Sequence, residues 1–196
     1  MGVDAMRLYR WAKKLNGMGL PVLPNVLRKA TFYLHNSYIP FEAEIGAGTE
    51  LGYGGIGVVI HKDSKIGRHC LIAQGVTIGG RSGIEGAPAI GNFVRIGAGA
   101  KILGNIRIGD FAVIGANAVV VKDVAPGAVM AGVPARELRR QTDPIGAWRR
   151  EMGPLPPELE QLVDGGGAVV TPNGSVAPEE EAGLFPWDGE GKEGVR

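Results

Sequence analysis

Aliphatic residues recur every six positions through the middle of this chain. Ile60, Ile66, Ile72, Ile78, Ile90, Ile96, Ile102, Ile108, Ile114 and Val120 all fall on multiples of six. Ile45 and Leu51 continue the spacing upstream, offset by three residues. Four places after an aliphatic comes a smaller residue, as at Ser64, Cys70, Val76, Val94, Ala100, Ala112 and Ala118. Directly after it comes glycine at Gly46, Gly52, Gly67, Gly79, Gly91, Gly97, Gly109 and Gly115. A period of six fits neither an α-helix nor a coiled coil. It describes a short strand and a turn, repeated, with the aliphatic pointing inward onto its neighbour one coil away. The smaller residue fills the corner, and glycine permits the turn or lets the next coil come close.

Three such faces make an eighteen-residue triangular coil, so residues 40–135 amount to about five coils of a solenoid. Each stacked aliphatic contributes roughly 1.5–3 kcal/mol, which offsets the cost of ordering a glycine-rich backbone. The period also accounts for most of the glycine surplus: of 33 glycines, twenty lie in residues 40–139 and eight in 165–196. Collagen is excluded because no three-residue glycine period runs through the chain. Cys70 is the lone cysteine and falls at an inward position, which makes it a buried structural thiol in a reducing, cytoplasmic setting.

The formal net charge of +1 hides an uneven distribution. Residues 165–196 hold six acids (Glu179, Glu180, Glu181, Asp188, Glu190, Glu193) and two bases (Lys192, Arg196). The rest is a moderately basic body, without the strong excess that would call for nucleic acid as a partner. Residues 1–39 read as a helical cap. Met6, Trp11 and Leu15, with Leu8 and Ala12, give helical spacing, and Pro21 and Pro24 interrupt it before a second helix capped by Asn25 and running to about Leu34. Its bases Arg7, Arg10, Lys13 and Lys14 admit a membrane-surface reading, but a cap packed on the body is preferred, with no stable membrane insertion. Residues 40–140 form the solenoid domain. Residues 141–196 are an extension, mostly flexible from about Gly165, with Phe185 and Trp187 as its isolated aromatics.

The stretches Val76–Gly80, Ile96–Asn105 and Ala131–Arg136, set in this repeat, resemble the hexapeptide acyltransferase family and, within it, serine acetyltransferase and its relatives. The resemblance covers residues 36–140 and implies a mainly β fold, a left-handed parallel β-helix. It implies acetyl transfer from acetyl-CoA to a hydroxyl of a small acceptor, without a metal, in a homotrimer whose neighbouring solenoids bind CoA between them. A histidine of the family takes the hydroxyl proton as the oxygen attacks the thioester. This chain departs from serine acetyltransferase at that point. Tyr53 stands at the family's histidine position, Tyr38 at its acidic partner and Ala87 near a second histidine, and the loop from Gly79 to Ala89 is shorter. The resemblance therefore carries the acetyl-CoA scaffold further than it carries serine as acceptor, and leaves a sugar hydroxyl open. The forty N-terminal residues are too few for the large helical domain that pairs trimers in that enzyme.

His61 is the candidate base. It replaces glycine directly after inward Ile60, at the end of the irregular run that holds Gly52, Gly54, Gly55 and Gly57. An ordinary imidazole takes up a proton near neutrality. Asp63 or Glu50 is the candidate to orient it. Tyr53, Arg81 and Glu85 are candidates to hold the acceptor, the last two on the loop after Gly79-Gly80. The resemblance places Ala98 and Ala116 along the pantetheine arm, where bulk would block it, makes Gly79 and Gly80 further cofactor-binding positions, and turns Lys122 and Arg139 toward the nucleotide phosphates, with Arg136 and Arg140 adding positive field. Two other readings of the scaffold stand beside this one. A non-catalytic trimeric solenoid needs no base. A metal enzyme resembling γ-class carbonic anhydrase needs three histidine ligands, and only His61 and His69 lie in the repeats.

Overall fold

The protein is described by a computed structural model, in which residues 4–20, 22–157 and 159–160 are placed, together with the backbone of 169–170 and 176–177. Two helices precede a parallel β-solenoid. Helix α1 (Ala5–Gly17) starts at Asp4, whose side chain accepts the Arg7 N–H at 2.7 Å. Its buried stripe is Ala5, Met6, Tyr9 and Ala12, and the Tyr9 hydroxyl donates to the Ala43 carbonyl at 2.7 Å. Trp11 faces outward instead of lying on the apolar face, because the stripe is turned toward Tyr9 and its anchor on the first coil. Helix α2 (Leu23–His35) begins two residues before Asn25. Pro24 sits in its first turn, where a missing N–H costs nothing, and Asn25 accepts from the Arg28 guanidinium at 2.8 Å rather than capping the helix. Asn36, at φ 51, ends it.

The first coil contains β1 (Glu44–Ile45), β2 (Glu50–Leu51) and β3 (Val59–Ile60). The second contains β4 (Lys65–Ile66), β5 (Leu71–Ile72) and β6 (Thr77–Gly79). β7 (Ala89–Ile90), β8 (Arg95–Ile96) and β9 (Lys101–Leu103) make the third, and β10 (Arg107–Ile108), β11 (Val113–Ile114) and β12 (Val119–Val120) the fourth. Four coils are complete. The fifth is partial: Val124 bridges to Ile108, then β13 (Ala128–Gly132) closes the solenoid and turns back antiparallel into β14 (Ala135–Arg140). The hairpin uses the residues that a fifth triangular coil would need.

Strands stack in parallel into three faces, in the orders β1-β4-β7-β10, β2-β5-β8-β11 and β3-β6-β9-β12. The six-residue aliphatics are the core. Ile60, Ile72, Ile78, Ile90, Ile96, Ile102, Ile114 and Val120 are almost fully excluded from solvent, and so are Cys70, Val76, Val94 and Ala100. Burial pushes the Cys70 thiol up to about 12. Registers give the coil lengths. Ile90 lies opposite Ile108 and Ile102 opposite Val120, the eighteen-residue step. Leu51 lies opposite Ile72, three residues longer, and Ile78 opposite Ile102, six longer.

Helix α3 (Pro144–Met152) follows the solenoid and lies along its first corner, between the first and second faces. There His69, Phe93 and Phe111 stack one per coil, with ring centroids 5.2 and 4.9 Å apart, and Trp148 meets Phe93 edge-on at 5.1 Å. His69 is thus half-buried in an aromatic column, not a solvated surface residue. Val169–Val170 pairs antiparallel with Val176–Ala177. The remainder of the expected flexible tail, with Phe185 and Trp187, lies outside the described residues. Among the described residues, no helix is long and apolar enough to cross a membrane.

Candidate active site

Both departures from the eighteen-residue step open onto the edges of the third face. At the second corner, between β2 and β3, the three extra residues form a 3₁₀ turn, Gly52–Gly55. Tyr53 sits there at φ 53 and is largely exposed. Ala98 and Ala116 occupy the same corner on the third and fourth coils, one above the other, with the Ala98 carbonyl accepting the Asn117 N–H at 2.8 Å.

At the third corner, after β6, the six extra residues form the loop 80–88. It is a loop and not a seventh rung: Arg81 and Ile84 close a tight antiparallel bridge, and Ile84 is exposed instead of stacked. Arg81 and Glu85 are both exposed on it. The loop leans onto the third coil, with Arg81 against Gly104 and Gly86 against the Asn105 side chain. Lys122 takes Gly104's place one coil further along, so Arg81 and Lys122 share this corner.

His61 stands at the same corner on the first coil. Its side chain is 38% exposed, and its Cδ2 and Nε2 both lie 4.0 Å from where a Cβ on Gly80 would stand. Its Nδ1 accepts the Asp63 N–H at 3.2 Å and lies 3.7 Å from the Asp63 carboxylate, which also holds Lys62 at 3.0 Å. With Nδ1 accepting, the neutral ring carries its proton on Nε2. A base at Nε2 requires the other tautomer, with Nδ1–H donated to the Asp63 carboxylate in place of the Asp63 N–H contact. Glu50, the other candidate to orient His61, is not nearby. It lines a groove of about 310 Å³ at the first corner, with Gly48, His69, Leu71 and Trp148.

Glycine has two different causes along the solenoid. A Cβ on Gly46, Gly67, Gly97 or Gly109 would come within 2.4 to 2.6 Å of backbone in the next coil, so coil packing forbids a side chain there. Gly79 and Gly80 are not so constrained. A Cβ would meet nothing closer than 3.6 Å at Gly79 and 3.5 Å at Gly80, and neither has a left-handed φ. Packing does not forbid a side chain at either glycine, and Gly80 lies beside the His61 ring.

The basic residues do not all converge within one chain. Arg139 lies on β14, opposite Val129 on the second face, away from Lys122. There it joins the Arg95–Glu151 ion pair, in which the Arg95 guanidinium holds the Glu151 carboxyl below its ordinary range and Arg139 adds to the effect. Arg140 is paired with Glu137 at 2.8 Å and so adds little net field. His61 and His69 sit at different corners and do not face one ion, and among the described residues no cluster of three metal-ligating side chains occurs. The sequence reading missed α3 and the aromatic column. The αL glycine of the first coil, Gly48, and the residues His69, Phe93 and Phe111 share one corner position, a spacing that was available as a signal.

Residues 88–122 match the family model described as bacterial transferase hexapeptide (six repeats). A serine acetyltransferase of Synechococcus elongatus is 40% identical over 154 residues, covering 74% of this chain and 61% of that protein. One of Synechocystis is 37% identical over 157 residues, covering 79% and 62%. The chain thus spans about three fifths of the length of the curated relatives it matches. Among solved structures, the serine acetyltransferase of Brucella abortus in complex with coenzyme A superposes with a TM-score of 0.66 at 34% identity, covering 70% of this chain and 55% of that one. The Neisseria gonorrhoeae enzyme in complex with serine gives 0.63 at 39% identity, covering 67% and 54%. The chain's solenoid is similar to that of the serine acetyltransferases, with the bacterial transferase hexapeptide match confined to residues 88–122.

Proposed function

We propose that this chain is an acetyl-CoA-dependent O-acetyltransferase, working in the cytoplasm as a homotrimer. The observation that carries the reading is that packing forbids no side chain at Gly79 or Gly80, the second of them in contact range of the His61 ring, on a scaffold 34% identical to one solved in complex with coenzyme A. In this reading the thioester lies along the third face and its pantetheine arm passes the small residues Gly79, Gly80, Ala98 and Ala116. Lys122 meets the nucleotide phosphates, and Arg139 is supplied from the second face of a neighbouring copy. His61, its Nδ1–H held by the Asp63 carboxylate, takes the acceptor's hydroxyl proton at Nε2. The hydroxyl oxygen attacks the thioester carbonyl, the C–S bond breaks, and the proton passes to the departing thiolate. Tyr53, Arg81 and Glu85 orient the acceptor.

L-serine is the first acceptor to test, since the relatives act under that name. Tyr53 at the family's histidine position makes a sugar hydroxyl the second. The experiment mixes the protein with acetyl-CoA and either L-serine or a nucleotide sugar and follows the free CoA thiol. His61→Ala is expected to lower turnover by roughly 10²–10⁴ while leaving CoA affinity unchanged by calorimetry. Unaltered turnover removes His61 from the role. Failure to bind CoA at millimolar ligand removes the whole reading, whereas CoA binding without turnover on either acceptor favours a non-catalytic scaffold.

A further inference from the structure

Among the described residues, the helical hairpin has an end whose apolar side chains are left exposed. Helix α1 buries its apolar stripe, yet the residues that join it to α2 expose theirs. Met18 is 64% exposed and Val22 67%, and Leu20, Leu23 and Val26 are also in solvent. A Cβ on Gly17 or Gly19 would touch nothing within 4 Å, so among the described residues nothing approaches the tip at these two positions. Five large apolar side chains thus lie together by connectivity alone, within nine residues.

Charge decides what fits them. From Ala5 to Phe41 the chain has six bases and no acid. Lys13 is exposed but engaged, donating to the Tyr9 hydroxyl and the Ala43 carbonyl, and Arg28 is held by Asn25 and Tyr38. Lys14 and Lys29, each within about a turn of the tip, remain exposed. Lys14 lies over the ring of Trp11, itself exposed, at 5.6 Å. An apolar tip with a cationic collar and an aromatic behind it is repelled by a second copy of itself. It suits a surface that is negatively charged outside and apolar just beneath.

The geometry points to an anionic lipid bilayer as the occupant of this tip, bound peripherally through Met18, Leu20, Val22, Leu23 and Val26, with Lys14 and Lys29 at the headgroups. The inference is independent of the proposed chemistry and adds a site of action to it. The test is sedimentation of the full chain with vesicles of phosphatidylcholine, alone or mixed with phosphatidylglycerol. The protein is expected to pellet with the mixed vesicles and not with the neutral ones, and to be released as salt rises. Lys14→Glu combined with Lys29→Glu should lower the bound fraction about tenfold or more. Val22→Asp combined with Leu23→Asp should do the same with an unchanged thermal midpoint. The milder Met18→Ser and Val22→Ser pair reads the same loss should the aspartates unfold the hairpin. Absence of pelleting with mixed vesicles, or pelleting that all variants retain, overturns the proposal. So does a sedimentation-velocity result in which the tip variants split an assembly of copies in the absence of lipid.

Discussion

The two causes of glycine in the solenoid give opposite responses to a side chain, and one pair of substitutions separates them. Gly67 has an ordinary φ, but its Cβ would lie 2.5 Å from the Gly91 carbonyl oxygen and 2.6 Å from its carbon. Ordinary contact begins near 3.4 Å, so Gly67→Ala requires adjacent coils to separate by about 0.9 Å. That separation stretches the Gly67 N–H to Ile90 bond and the Arg68 N–H to Asn92 bond, each now 2.8 Å. Two weakened bonds at ~1 kcal/mol each, added to an overpacking cost of ~1–3, give a loss of about 3–5 kcal/mol. Gly75 is the reverse. Its φ is +70, but a Cβ would meet the Gly99 backbone only at 3.7 Å. Asn117 occupies the same corner two coils on at φ 56, so Gly75→Asn is expected to cost about 1 kcal/mol or less. Urea and thermal denaturation of both variants measure this. Gly67→Ala should fall by ~10 °C and Gly75→Asn by no more than ~4 °C. A Gly67→Ala protein as stable as the parent, or a reversed order of the two, would refute the argument that coil approach fixes these glycines.

Gly80→Leu adds a side chain at an exposed position where a Cβ meets nothing closer than 3.5 Å, and should leave the thermal midpoint unchanged while abolishing CoA release; a variant with normal turnover would detach Gly80 from the proposed site. Replacing Asp63 with Ala should lower the maximal rate by about tenfold with CoA affinity unaltered, because only the Nδ1 partner is lost; an unchanged maximal rate would reject that role. Cys70, held protonated to about 12 by burial, should resist alkylation at pH 8 until the protein unfolds. The unfolded chain loses that thiol proton near pH 9 and the folded chain does not, so stability falls between about pH 9 and 12, by up to ~1.4 kcal/mol per pH unit, and Cys70→Ala should remove that slope. Trp148→Ala should cost about 3–5 kcal/mol by uncovering Phe93, read as a lower midpoint in urea.

The solenoid was legible because its period is imposed by a geometric necessity. An inward aliphatic every six residues is the way a three-faced coil stacks, and Ile60 through Val120 lie in the core where the spacing puts them. The helices were less legible. Met6, Trp11 and Leu15 satisfy a helical period, but the face that packs was chosen by the Tyr9 hydroxyl reaching Ala43, a contact between parts of the chain 34 residues apart. Helix α3 was missed because its apolar residues are few and meet a column, Phe93 and Phe111, whose members are eighteen residues apart in sequence. At the site, the pairing of His61 with Asp63 over Glu50 followed from the corner geometry, since Glu50 projects from another face.

The places where the six-residue count fails are the informative ones. A solenoid with uninterrupted rungs offers only flat faces and identical corners, and nothing in such a surface distinguishes one ligand from another. This chain breaks the count twice in consecutive coils, by three residues before β3 and by six after β6, and both breaks open on the edges of the third face. Tyr53 lies in the first break, Arg81 and Glu85 in the second, and His61 on the rung between them. Each insertion is free to take a shape that stacking does not dictate, while the regular coils above and below fix its base. Loss of the regular pattern is therefore the sequence signal for the proposed site, just as the pattern itself is the signal for the fold. Deleting residues 81–86 should restore an eighteen-residue second coil that still folds and no longer turns over, because the rung register from Ile78 to Ile102 needs none of them.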